Sequence, residues 1–170
     1  MNHIRLIQTI IKQHQRPLNG IHGIPHWARV MENGRRLTPL TGAIPEVIEL
    51  FALFHDAKRT NDCLDRHHGQ RAAAFAASLR GELFKLSDKH FDLLYIACRD
   101  HTKGMTEGDV TLRTCWDADR LDLARVFITP DPKHLCTEAA KSSKIISWAI
   151  ARSKANYHPP LIRDEWGCDL

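Results

Sequence analysis

Apolar residues in this chain recur three and four positions apart, and the alternation that would mark a strand is rarely sustained. β-branched residues are thinly spread, so packed helices are the architecture the pattern allows. Ile4, Ile7, Ile10 and Ile11 form one stripe, ended by Pro17 and the Asn19-Gly20 turn. A second helix is predicted from Pro25 to about Leu37, with Pro25 suited to the first turn and Pro39 ending it. The third begins near Pro45, and the fourth is an alanine-rich stretch over about 67–80. Ser87 or Asp88 is placed to cap a fifth, on which Phe91, Leu94, Tyr95 and Cys98 share a face leading to His101. A sixth is expected to open at Thr114, with Asp117 completing a capping box. Prolines make 129–135 a loop, and a last helix is expected over about 137–154, followed by a proline-containing tail. No repeat, low-complexity tract or linker divides the 170 residues, so the expected fold is all-α: one compact helical bundle over 1–170.

Composition narrows the function classes. The chain is 43% hydrophobic and 26% charged, as ordinary globular domains are, and no apolar run reaches the roughly 20 residues a membrane span needs. The N-terminal apolar residues are spaced as on an amphipathic helix, without a small-residue cleavage site, so a signal peptide is not expected. Five cysteines are scattered without a CxxC pair, which fits a reducing compartment and a cytoplasmic location and gives no support to a thiolate zinc site. A net charge of +4 suits an anionic small molecule. Nucleic acid is not expected as a partner, because no basic stripe with interleaved aromatics is present.

Among the eleven histidines, His55 stands out because it and Asp56 close the apolar run Leu50-Phe51-Ala52-Leu53-Phe54. Two polar side chains there are costly to bury without partners, and metal ligation is one way to satisfy both. The competing reading is a polar last turn of a core helix. An imidazole with a carboxylate suits a divalent transition ion such as Mn²⁺, Fe²⁺, Co²⁺, Ni²⁺ or Zn²⁺, with Mg²⁺ a further option.

The order of motifs HGIPHWARV (22–30), LFALFHDAKR (50–59), HHGQRAAAFA (67–76), ACRDHTKG (97–104) and CWDADRLDLARV (115–126) resembles the HD superfamily of metal-dependent phosphohydrolases. The resemblance spans about 22–126 and implies a bundle of the HD type holding one divalent metal through His26, His55, Asp56 and Asp119. His22, one turn earlier and expected in the loop before the helix, is the competitor for His26. Asp119 is preferred over Asp117 and Asp122 because it matches the family's Ala-Asp-Arg-Leu phrase and shares a helix face with Trp116, Leu123 and Val126. Asp122 is expected to orient a ligand, pair with Arg125 or serve the surface. His68 and His101 stand in the order of the additional histidines of two-metal relatives, at a shorter spacing. They are expected to contact substrate phosphate or to hold part of a second metal.

The implied reaction is hydrolysis of a small phosphoester, a nucleotide or a related compound, by metal-activated water. Asp56 serves as ligand and as base toward the water. Lys58 and Arg59 follow the His-Asp pair, and Arg71 and Lys103 lie near His68 and His101, so these four are candidates to neutralise phosphoryl charge. Arg29 and Arg120 are expected to buttress carboxylates. Rival readings are a di-iron oxygenase, which needs both His68 and His101 as ligands, and a noncatalytic nucleotide-binding HD domain.

Overall fold

The computed structural model describes residues 3–170. Eight α-helices carry the described residues: α1 (His3–Gln13), α2 (Ile24–Thr41), α3 (Pro45–Phe54), α4 (His68–Leu79), α5 (Asp88–Asp100), α6 (Val110–Arg120), α7 (Ser143–Lys154) and the short α8 (Leu161–Asp164). No sheet occurs among the described residues; one isolated bridge joins Arg80 and Phe84. The fold is thus the expected all-α bundle.

Helix α3 is its axis. Val47, Ile48, Leu50, Phe51, Ala52, Leu53 and Phe54 are all buried, because α2, α4, α5 and α6 each pack against it. Around it the core is filled by Trp27, Trp116, Trp166, Phe51 and Phe54, each essentially inaccessible. Two glycines set helix separations. A Cβ on Gly34 would stand 2.3 Å from Ile48 Cγ2, and one on Gly69 would stand 2.6 Å from the Cys98 carbonyl oxygen. Gly69 therefore lets the start of α4 meet the end of α5.

Several boundaries differ from the expected ones. On α1 it is Leu6, Ile7 and Ile10 that are buried, while Ile4 is 44% exposed. Pro39 does not end α2, which continues to Thr41 and closes on Gly42 at φ 75°. The proline lies on the exposed side of the last turn, where one missing backbone bond costs least. Helix α6 opens four residues earlier than Thr114, because Asp109 is its cap and accepts from the Thr111 amide. Asp117 is no cap. It is fully buried, and its carboxylate accepts from the backbone amides of Cys136 and Thr137 and from the Thr137 hydroxyl, tying the 132–137 loop to α6. The final long helix starts at Ser143, and the tail folds back as α8. Ser87 caps α5 as expected.

Candidate metal centre

Ends of four helices meet the last turn of α3. His26 projects from the first turns of α2, and His55 and Asp56 continue the last turn of α3. His68 opens α4, His101 follows α5, and Asp119 is next to last on α6. All but Asp119 are buried, and its side chain is only 16% exposed.

The ring nitrogens converge in two pairs. His26 Nε2 lies 3.0 Å from His55 Nε2, and His68 Nε2 lies 2.9 Å from His101 Nε2. The other nitrogen of each ring identifies its proton. Nδ1 of His55 faces the Phe51 and Ala52 carbonyls, that of His68 the Asp65 carbonyl, and that of His101 the Cys98 carbonyl. A carbonyl only accepts, so each of these Nδ1 atoms donates. His26 Nδ1 donates to Asp122 Oδ2 at 2.7 Å, and Asp122 is itself fixed by Arg29, whose Nε donates to Oδ1 at 2.7 Å. Four Nε2 lone pairs are thereby aimed at one another, an arrangement that repels unless a proton or a cation stands within each pair.

Asp56 sits between the pairs with one oxygen toward each. Oδ2 is 3.6 Å from His26 Nε2 and 3.9 Å from His55 Nε2; Oδ1 is 3.1 Å from His68 Nε2 and 3.7 Å from His101 Nε2. Asp119 Oδ1 joins the first pair, at 3.4 Å from His26 Nε2 and 3.8 Å from His55 Nε2. Two triads of donors close enough to hold an ion result: His26, His55 and Asp56, and Asp56, His68 and His101. These buried groups could hold a metal ion. Neutral imidazoles with fixed tautomers plus carboxylates are the donor set that divalent transition ions take.

Electrostatics separate the pairs. Burial drives the His26 pKa well below the usual imidazole range and His55 to about 4, so neither supplies the proton their pairing lacks. Burial also pulls on His101, but Asp56 and Asp119 outweigh it and its pKa rises. For Asp56 burial acts upward and is overcome by His55 and by hydrogen bonds with His101, His22 and His68, which hold the carboxyl well below its ordinary value. Asp119 is lowered in the same way: burial is outweighed by His55, His26 and Arg125.

The remaining expected residues divide. Arg59 is at the site: its Nε donates to Asp56 Oδ1 at 3.0 Å and its side chain lines a cleft of about 330 Å³ over Asp56, His101 and Asp119. Lys58, Arg71 and Lys103 do not line this cleft and have partners elsewhere. The Lys58 ammonium donates to Gln13 Oε1 at 2.8 Å and lies over the Phe75 ring. Arg71 holds the Lys58 carbonyl and the Asp65 carboxylate, and Lys103 pairs with Asp100 at 2.8 Å. Beyond α3 the chain turns, so Lys58 points away from Asp56 whereas Arg59, three residues on, returns to it. Arg29 does buttress a carboxylate, whereas Arg120 donates to the Met105 and His134 carbonyls.

Three residues of the site were not assigned to it from sequence. His22 lies in the loop before α2, as expected, yet its Nδ1 is 2.8 Å from Asp56 Oδ2. Asp122, one of several roles left open, orients His26. Arg125 lies just beyond Asp122 with a side chain only 8% exposed; its Nε donates to the Ile21 carbonyl and its Nη1 to the Asp122 carbonyl. Its Nη2 is 4.0 Å from Asp119 Oδ1, beyond hydrogen-bonding distance, which leaves N–H groups for the cleft. Comparison with known proteins adds no identification, since no family model, curated protein or solved structure matches the chain.

Proposed function

We propose that this chain is a metal-dependent phosphohydrolase of the HD type acting on a small phosphoester such as a nucleotide. The reading is carried by one observation: four Nε2 atoms, in pairs 3.0 and 2.9 Å apart, flank a carboxylate that offers one oxygen to each. His26, His55, Asp56 and Asp119 would hold one divalent ion. His68, His101 and Asp56 would hold a second, so the two extra histidines are better read as ligands than as phosphate contacts. A divalent cation there would make water nucleophilic near neutral pH and draw charge from a phosphoryl oxygen.

The chain's own groups supply the rest. Arg59 and Arg125 line the same cleft and present fixed positive charge to an anionic ester. Arg59 also steadies Asp56, and Asp122 keeps the His26 lone pair aimed inward. Asp56, which lines the cleft and has His22 Nδ1 bonded to its Oδ2, would accept a water proton.

The second triad also favours an alternative, a di-iron oxygenase. The cleft arginines suit an anionic substrate in either reading, so metal identity and the reaction catalysed separate the two. The test is metal analysis of the purified protein, followed by turnover of phosphomonoesters and phosphodiesters with Mn²⁺, Co²⁺, Ni²⁺ and Mg²⁺. Hydrolysis lost in Asp56→Ala supports the proposal. Full activity in that variant overturns it, and iron-dependent oxygen uptake without hydrolysis favours the alternative.

A further inference from the structure

Next to the metal cleft lies a second, larger cavity of about 520 Å³ that the proposed hydrolysis leaves unused. Arg125 belongs to the walls of both, so the two form neighbouring compartments with a guanidinium between them. Three of the larger cavity's lining residues are apolar and open to solvent: Ile21 is 42% exposed, Ile128 53% and Phe127 99%. Asn19 and Asn156 add amide groups, and Lys154 adds a cation.

Phe127 is the unusual feature. It holds the left-handed conformation at φ 64°, closing the short helical turn Leu123–Val126 with its amide bonded to the Ala124 carbonyl. Glycine or asparagine makes such a reversal at lower cost. The ring gains nothing from the core, since it is almost wholly exposed. The fold therefore carries a strained backbone and an unburied aromatic face at one place, beside a cavity of the size that takes small organic ligands.

We infer that this cavity receives the planar heteroaromatic group of the substrate, as the base of a nucleoside monophosphate, stacked on Phe127 between Ile21 and Ile128. Arg125 then meets the phosphate on the side facing the metal cleft. This deepens the proposed phosphohydrolase reading and rests on it for the phosphate, while the stacking contact stands independently.

Phe127→Gly is the discriminating variant because it relieves the positive φ, so it is expected to fold at least as stably as the parent. Adenosine binding is read by ligand-detected NMR, and kcat/KM is read for AMP and for ribose 5-phosphate. In the parent, adenosine binds and AMP is preferred. In Phe127→Gly, adenosine binding and the AMP preference each fall by about tenfold, the scale of one base-stacking contact. Leu40→Ala, an exposed residue near the end of α2, changes neither. Adenosine binding that depends on Phe127 without turnover of any phosphoester supports the pocket and removes the hydrolase reading. The inference is overturned by a parent that does not bind adenosine, by a variant that binds it equally well, or by an unchanged AMP preference. A parent that self-associates through Phe127 assigns the patch to a protein contact and overturns it as well.

Discussion

A single carboxylate organises this site. Asp56 is buried and has Arg59 and five histidines within 4 Å, so its ionised form is held by neighbours on every side. Around it the second ring of contacts carries much of the precision. Asp122→Asn would let an amide donate to His26 Nδ1, reversing the tautomer and turning the lone pair away from the site. The expected consequence is a loss of metal affinity of about 10–100-fold, measured by chelator competition. Asp117 behaves differently. Its carboxylate satisfies two buried amides and a hydroxyl, while burial pushes its own pKa up. Asp117→Ala should cost about 2–4 kcal/mol in denaturant unfolding, with metal affinity near that of the parent. At this scale sequence adjacency was a poor guide. It placed His55 and Asp56 correctly together because they are contiguous, but it could not tell that Lys58 turns away while Arg59 turns back. His22 and Arg125 reach the site through loop and turn geometry that leaves no periodic trace.

The helices themselves were far more legible. Apolar spacing located α2, α3, α4 and α5, α2 running four residues past its expected end, because each buries a face whose rhythm is written in the residues. The start of α6 was missed for a plain reason: Asp109 caps a first turn that has few apolar positions, so Thr114 looked like the better opening. Gly69 shows what spacing cannot report. It is a contact requirement, since any side chain there would meet the Cys98 and Arg99 carbonyls at 2.6 and 2.9 Å. Gly69→Ala should force α4 from α5 and separate His68 from His101, at about 1–3 kcal/mol of stability. The expected readout is selective: binding at Asp56, His68 and His101 weakens while the site at His26, His55 and Asp119 persists.

For the whole molecule, the buried histidines link folding to pH. His55 has a pKa of about 4 in the fold and 6.5 as an ordinary imidazole, and His26 is lowered too. The unfolded chain thus binds protons that the native chain refuses as pH falls from 6.5 toward 4. His101, raised in the fold, acts in the opposite sense, so the two lowered groups dominate. Metal-stripped protein should lose thermal stability across that window, and a flat melting temperature between pH 6.5 and 4 would argue against proton-free pairing of His26 with His55. Adding back a divalent ion should stabilise it by about 3 kcal/mol at a hundred times the dissociation constant. The convergence of histidines from separate helices on Asp56 is most sharply judged by metal stoichiometry, measured by elemental analysis of the reconstituted parent, His68→Ala and Asp56→Ala proteins. About two divalent ions per chain are expected in the parent, about one in His68→Ala and almost none in Asp56→Ala. A folded parent that retains no more metal than Asp56→Ala would contradict the metal centre outright.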